Sequence, residues 1–574
     1  MTAFLTDSLP LVAAAPNGIK KLRELILELA VRGKLVPQDL CDAPASELLK
    51  RIAEEKARLV AEGKIKKTKL LEEIAAEEWP FILPAGWEWS RLGDVSAYIQ
   101  RGKGPVYIDQ SDFRVVSQKC VRWTGLDLQP ARFIAPESLV KYESTRFLRS
   151  GDILWNSTGT GTIGRACVVE NCSEDEQLVA DSHVTVVRPT GLLPVFLLRW
   201  IQSPSVQSEI EGNASGTTNQ IELNTSTVIA HLIPIPPLAE QHRIVAKVDE
   251  LMALCDCLEA QQTDAESAHA QLVQTLLDSL TQASDATDFA ASWHRLAEHF
   301  HTLFTTQPSI DTLKQTLLQL AVMGKLVPQD PSDKPASELL KRITEAKVRL
   351  FAEGKIKKQK PKANITEEEK PFELPDTWEW VRLGEILSLT SGKGFKAEEY
   401  SLNGARLFQI ANVSIGHTKW EVENFLPENY LNKHPELVLK DGDILIALNR
   451  PLLNGKMKVC IISEEDLPAI LYQRVGRFSF YDSSVLPKYF YYYLQSHLFI
   501  GKLNESLQGS DQPFINQSQV VEFLLSWPPL AEQHRIVAKV DQLMALCDQL
   551  KTHLTQARQL NEQLASTLVE QAVA

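Results

Sequence analysis

Gly159-Thr-Gly161-Thr-Ile-Gly164 has the spacing with which glycines let a backbone approach a dinucleotide pyrophosphate. That chemistry needs a strand before the glycines, a helix starting on them, and an acidic residue about twenty positions on. Here Arg165 to Val169 reads as another strand, and the corresponding stretch of the later half is Asn449-Arg450-Pro451-Leu452-Leu453-Asn454-Gly455. A glycine-rich hairpin that brings backbone close to a ligand is the better reading. Asp39 followed by Glu62-Gly63-Lys64, and again Asp330 followed by Glu353-Gly354-Lys355, imitates the carboxylate spacing of a metal-dependent nuclease. Those carboxylates would have to converge on one rigid site. They sit instead at helix and loop ends among lysines, as solvated helix termini do. No Walker A sequence, HExxH or zinc-type Cys/His set occurs, and Cys255 and Cys257 lie within a helical stretch as packing residues. With no nucleophile, base and orienter in one constellation, the chain reads as non-catalytic, without cofactor or metal of its own.

A second chemistry is better represented. Arg and Lys suit phosphates and guanine edges, and Asn and Gln suit adenine edges. The first half offers Arg101, Lys103, Arg114, Lys119, Arg122, Asn156, Arg165, His183, Asn219 and Gln220 as candidate DNA-binding residues. The second half offers Lys393, Lys396, Arg406, Gln409, Asn412, Lys419, Asn449, Arg450, Lys456, Gln473, Arg474 and Gln512. Each alone is more simply a surface residue; the expectation concerns the set. The net charge of −13 argues against grip by bulk electrostatics and leaves room for local basic surfaces.

The elements that must position these residues occur twice, about 291 residues apart. PPLAEQHRIVAKVDELMALCD (Pro236 to Asp256) returns at Pro528 to Asp548 with one change, Glu250 to Gln542. LAVRGKLVPQD, returning as LAVMGKLVPQD, and PASELLKRI, AEGKIKK, Trp87-Glu-Trp89 and GDIL all recur in the same order. The period is too long for a solenoid and means two copies of a domain-sized unit. Each copy reads as a helical lead-in, a divergent strand-and-turn segment of mixed α and β, and a helical tail. The predicted boundaries are a lead-in over 1–79, a divergent segment over 80–235, and a first tail helix over 236–283. A connector with a second lead-in covers 284–370, a second divergent segment 371–527, and a second tail helix 528–574. The lead-in helices end on Gly33 and Gly63, in the manner of C-terminal glycines. The tails carry heptads, Val248, Cys255, Gln262, His269 and Leu276 against Leu251, Leu258, Ala265 and Leu272 in the first. In the second, Val540, Cys547, Leu554, Asn561 and Leu568 oppose Leu543, Leu550, Ala557 and Leu564. No run of about eighteen apolar residues exists, so a membrane span is not expected. Eight cysteines in 574 residues are too few for a disulfide framework, and a reducing cytoplasm is expected.

Taken together, LAVRGKLVPQD, PASELLKRI, EGKIKK, Trp-Glu-Trp-x-Arg-Leu-Gly, GDIL and above all PPLAEQHRIVAKVDELM resemble the specificity subunit of type I restriction–modification systems, over nearly the whole chain and twice. The resemblance implies two α/β (α+β) target recognition domains, each reading one half of a bipartite asymmetric target in double-stranded DNA. It implies an antiparallel coiled-coil spacer between them. It further implies two methyltransferase subunits carrying S-adenosylmethionine, and restriction/translocase subunits using ATP and Mg. Methyltransferase docking is then expected on the tail starts, at Leu238, Ile244, Val248 and Leu251 and at Leu530, Ile536, Val540 and Leu543. The family's commonest layout has little before its first recognition domain, so the first lead-in here is a departure, expected to add to the frame or to the docking surface. Two other classes stay open from the residues alone: a DNA-binding adaptor whose partners do not methylate, and a coiled-coil scaffold with no DNA role.

Overall fold

The computed structural model describes residues 11–66, 71–140, 142–159, 161–172, 177–213, 222–284, 286–356 and 364–573. The chain forms two units, Met1–Ala265 with Ala557–Ala574, and Glu266–Gln556.

In the first unit the lead-in supplies α1 (Gly18–Val31) and α2 (Ala45–Ala61). Gly33 and Gly63 follow them at φ of 67° and 68°, the left-handed conformation that lets the last carbonyls be capped. The recognition segment opens with β1 (Glu88–Arg91), which pairs antiparallel with its closing strand β10 (Leu232–Ile235). Between them lie two four-stranded sheets. One has the order β2 (Ser96–Arg101), β9 (Val184–Pro189), β6 (Ile153–Asn156), β7 (Ala166–Val168). The other has the order β8 (Val179–Ala180), β4 (Arg114–Val116), β5 (Arg132–Ile134), β3 (Tyr107–Ile108). β4 and β8 run parallel, so the chain leaves both at the same edge. Helix α3 (Pro194–Gln202) presents Phe196, Leu197, Trp200 and Ile201 to the core. Helix α4 (Leu238–Thr281) then begins the tail.

The second unit repeats this plan. Its lead-in gives α5 (Gln307–Val322) and α6 (Ala336–Ala352). β11 (Glu379–Arg382) pairs with the closing strand β19 (Leu524–Trp527). The larger sheet has the order β12 (Leu387–Ser391), β18 (Val475–Phe480), β15 (Ile444–Ala447), β16 (Val459–Ile461). The smaller has the order β14 (Phe425–Leu426), β13 (Ala405–Phe408), β17 (Ala469–Leu471), with β13 and β17 again parallel. Helix α7 (Pro487–Leu494) fills the place of α3, and α8 (Leu530–Val573) ends the chain. The predicted fold class, duplicated mixed domains alternating with long helices, is the one observed.

The repeated residues are those that bolt each tail to its recognition domain. Glu240 is buried and accepts Trp87 Nε1 at 2.9 Å and Gln38 Nε2 at 2.7 Å. Its twin Glu532 accepts Trp378 Nε1 at 2.8 Å and Gln329 Nε2 at 2.6 Å. Burial raises both carboxyl groups above the ordinary glutamate value, and the donated hydrogen bonds oppose the shift. Gln241 and Gln533 hold the Pro236 and Pro528 carbonyls at 3.0 Å, and Arg243 and Arg535 pair with Asp42 and Asp333 at 2.6 Å. PPLAEQHR and the lead-in therefore recur together because they touch. GDIL has a similar cause. Asp152 and Asp443 each accept a backbone N–H three residues back, from Arg149 and Lys440, and pair with Arg188 and Arg477.

The tails depart from the heptad. Val248, Cys255, Val540 and Cys547 are buried as predicted, but each helix seals its stripe against a lead-in helix. In the first unit Cys255 packs with Ile19 and Leu22 of α1 and with Ala565 of α8. In the second, Val273, Leu277 and Leu280 pack against Leu313, Leu317 and Leu320 of α5 and against Cys547. The third helix turns the buried stripe away from the heptad line. Leu258, Leu272 and Leu564 are consequently exposed, and so are Gln262 and Asn561, which fix no buried register. His269 stays a helix-surface residue, its Nε2 3.1 Å from the Thr302 carbonyl. Cys257, expected to pack, is exposed.

Candidate nucleic-acid interface

In the second unit the parallel pair β13–β17 and the turns around β15 and β18 open onto one concavity of about 480 Å³. Its wall brings together Gln409, Asn449, Arg450, Tyr472, Gln473, Arg474 and Gln512 with Ile410 and Ala411. The cause is topological. Gln409 and Tyr472 follow the last residues of two parallel strands, Phe408 and Leu471, which are paired in register. Arg474 immediately precedes β18, and Asn449 follows β15, whose Ala447 is the partner of Val475. Asn449 bridges in turn to Phe514, two residues beyond Gln512.

The two arginines occupy the left-handed region, Arg450 at φ 47° and Arg474 at φ 66°. Each is held there through its backbone, Arg450 N–H on the Pro513 carbonyl at 2.6 Å and the Arg474 carbonyl accepting Leu448 N–H at 2.9 Å. Both side chains are exposed, and neither guanidinium has a hydrogen bond or ion pair among the described residues. Positive φ in a long polar residue is uncommon and marks sites where function sets the backbone. Burial, with the Arg450 charge nearby, pulls the Lys458 ammonium below the ordinary lysine value, and its Nζ donates to the Ile410 carbonyl at 3.2 Å. The concavity thus offers two unpaired guanidinium forks and several side-chain amides, the donor and acceptor types that read base edges in a groove.

The first unit builds the same place from different residues. Val116 and Ala180 end the parallel pair there, so Ser117 and Gln118 stand where Gln409 and Ile410 do, and Asp181 where Tyr472 does. His183 precedes β9 as Arg474 precedes β18, and Thr158 follows β6 as Asn449 follows β15. His183 Nδ1 lies 2.7 Å from Thr158 Oγ1, and its N–H donates to Asp181, whose buried carboxyl is raised by desolvation. The glycines 159, 161 and 164 all have positive φ and lead into β7, not a helix. Gly164 N–H closes the hairpin on the Asn156 carbonyl.

The other predicted contacts divide by their surroundings. Asn156 is fully buried and donates to the Gln118 carbonyl at 3.1 Å, so it braces the sheet edge. Asn412 is also fully buried, donating to the Lys419 and Val422 carbonyls and accepting Gln409 N–H. Both are corrections, because an amide with no exposed surface, its N–H groups given to backbone carbonyls inside the fold, cannot read a base. Lys456 pairs with Asp311 of α5 and belongs to the frame. Arg406 donates to the Glu465 carbonyl and lies over Trp420. Arg101, Arg122 and Lys419 have carboxylate neighbours in Glu222, Asp127 and Glu421. Arg165 donates to the Gly161 carbonyl. Arg114 lies over Phe133, and Lys103, Lys119, Lys393 and Lys396 are exposed. Asn219 and Gln220 lie outside the described residues. Sequence reading missed Tyr472, whose only signal is its place at the end of an apolar run.

The predicted docking residues need a larger correction. Ile244, Val248, Ile536 and Val540 have no exposed surface, because they pack against the lead-in helix and the recognition domain of their own half. What the repeated helix start does expose is Leu238, Ala239 and His242, and Ala531 and His534. In the second unit these residues border a cleft of about 470 Å³, whose far wall is the start of α6 with Pro335, Glu338 and Arg342. Pro44, Glu47 and Arg51 stand at the same places in the sequence of the first unit.

The family model described as Type I restriction modification DNA specificity domain matches residues 84–266 and again 375–558. The type I restriction enzyme EcoAI specificity subunit of Escherichia coli is 42% identical over 558 residues, 97% of this chain and 94% of its own. The EcoEI specificity subunit of Escherichia coli is 39% identical over 563 residues, with the same coverage of 97% and 94%. Among solved structures, the HsdS subunit from Thermoanaerobacter tengcongensis matches 86% of this chain and 98% of its own at 20% identity, with a TM-score of 0.42.

Proposed function

The chain belongs to the type I restriction–modification DNA specificity family, and from that premise we propose how its two units read DNA. Each recognition domain presents one set of base-reading groups to one half of a split target. Arg450, Arg474, Gln473 and Gln512 serve in the second domain, and in the first His183, Ser182 and Lys119, which stand at the places of Arg474, Gln473 and Ala411. The observation that carries this reading is the contrast between the two sites. Eight of the nine residues around the second concavity have described counterparts in the first unit, and all eight differ, although the strands that place them are the same. Equal frames with unequal reading residues are what an asymmetric bipartite sequence requires.

The long helices supply the spacing. Each has 44 residues, about 66 Å at about 1.5 Å per residue. The exposed helix starts at Leu238–His242 and Leu530–His534 dock two copies of one partner, the methyltransferase subunit. Supporting this, exposed Glu47, Arg51, Ala239 and His242 recur unchanged as Glu338, Arg342, Ala531 and His534, where the fold does not require them. Methyl transfer from S-adenosylmethionine, and ATP- and Mg-dependent translocation and cleavage, then belong to partner subunits in the cytoplasm. No helix among the described residues is long and apolar enough to cross a membrane.

Exchange of residues 80–235 for the recognition domain of another specificity subunit tests the reading. The methylated motif should change in one half and keep its gap and its other half. A change in both halves contradicts the assignment of one domain to one half-site.

A further inference from the structure

The eight wall residues with described counterparts all differ between the two domains, yet one exposed side chain beside them does not. Gly102-Lys103-Gly104 follows β2, and Gly392-Lys393-Gly394 follows β12. Strand register makes the two turns equivalent. Arg101 pairs with Thr185 and Ser391 with Gly476, each one residue past the first residue of its strand. The glycines have a packing reason. A Cβ on Gly102 would lie 2.2 Å from the Ala180 and Asp181 carbonyl oxygens, and one on Gly392 would lie 2.1 Å from that of Leu471. The turn is thus pressed onto the ends of β8 and β17, from which the concavity residues Asp181 and Tyr472 emerge. Backbone bonds fix it there, Lys103 N–H to the Ala180 carbonyl at 3.2 Å and Gln473 N–H to the Lys393 carbonyl at 3.2 Å.

The lysine side chains have no such reason. Both are exposed, and neither has an ion-pair partner among the described residues; Lys393 Nζ stands 5.8 Å from the Phe395 ring. Other identities between the domains hold the fold, as Trp87 and Trp378 do through Glu240 and Glu532, and Arg91 and Arg382 through Glu78 and Glu369. Lys103 and Lys393 form no ion pair or side-chain hydrogen bond among the described residues. The feature common to two unlike half-sites is the sugar–phosphate backbone.

We infer that Lys103 and Lys393 are the matched phosphate contacts of the two domains, seating each half-site against its concavity without reading sequence. This rests on the DNA-reading assignment above. A compact, flexible ammonium is suited to a single phosphate and carries no base information.

The test uses the chain co-expressed with its methyltransferase subunit, as wild type, Lys103→Gln, Lys393→Gln and the double variant, with Lys103→Arg and Lys393→Arg as charge-preserving controls. Binding is titrated between 0.05 and 0.2 M salt on two duplexes, one carrying the methylated motif and one lacking both halves. Each lost phosphate contact lowers the salt slope by ~0.9, so the wild-type advantage over each Gln variant should shrink about 3.5-fold across that range. The effect should be equal on both duplexes, with the Arg variants near wild type and the methylated motif unchanged. Wild-type slopes in the Gln variants, or a motif relaxed at particular base pairs, would overturn the inference. A wild-type complex that does not prefer its motif duplex would instead overturn the DNA-reading assignment beneath it.

Discussion

Arg474→Lys separates base reading from charge attraction at a single atom group. The substitution keeps one positive charge on an exposed side chain and asks nothing new of the backbone, since lysine at φ 66° is as strained as arginine. No hydrogen bond inside the protein is lost, because the guanidinium has none among the described residues, and the turn stays pinned by Leu448 N–H on the residue 474 carbonyl. What disappears is the planar two-pronged donor. A bidentate contact to one base pair discriminates by about 1–3 kcal/mol. At about 1.4 kcal/mol per tenfold, selectivity at that pair should fall roughly 5- to 150-fold. The salt dependence of binding should not move, as no phosphate charge pair is gained or lost. The assay is competition binding by the assembled complex against duplexes altered one base pair at a time. One position, in the half-site read by residues 371–527, should lose its preference while the other half keeps all of its own. A uniform loss over every duplex, or none, would refute a base-reading role for Arg474.

Further outcomes follow from other parts of the fold. His231 is buried, accepts Trp200 Nε1 at 3.1 Å, and is pushed by desolvation down to about 4. A depressed folded value means stability present above the unfolded value of about 6.5 and lost as pH falls toward 4, on the order of 3 kcal/mol in the first unit. His231→Phe, the residue found at the equivalent Phe523, should flatten that dependence in hydrogen exchange of the first unit; an unchanged pH dependence would show that another group causes it. Inserting about seven residues near 260 in α4 and near 558 in α8 lengthens each helix by about 10 Å, or about three base pairs. The gap in the methylated motif should grow by that amount with both halves intact, and an unchanged gap would remove the helices as the ruler. Ala531→Arg should reduce the methyltransferase copies per chain from two to one by native mass spectrometry, and Ala239→Arg with it to none. Two copies retained in the double variant would place docking elsewhere.

The frame was legible in the sequence because its reasons are local and repeated. Gly33 and Gly324 end helices, Pro44 and Pro335 precede them, and the Trp-Glu-Trp and PPLAEQHR segments recur together because Trp87 bonds Glu240 and Trp378 bonds Glu532. The reading surface was half legible. Arg450, Arg474 and Gln512 could be named by type, but their convergence depends on β13 and β17 running parallel in register, which no local pattern announces. Asn156 and Asn412 show the opposite failure. Residue type proposes an amide for adenine, while the fold gives its hydrogen bonds to backbone carbonyls. The heptad misled for a related reason, since a seam read for two helices is redirected when a third, from the lead-in, packs beside them. Ile244 and Val248 likewise looked like docking residues because helix periodicity marks an apolar face without saying what covers it.

The central claim, two unlike domains reading two halves of one DNA sequence at a set separation, is met most directly by one measurement. The chain is expressed with its methyltransferase subunit in a host lacking adenine methylation, and modified adenines are mapped genome-wide by long-read sequencing. The account predicts a single asymmetric motif of two specified halves around an unspecified gap of constant length. A contiguous or palindromic motif, or no new motif from a complex shown to assemble and bind the methyl donor, would contradict it.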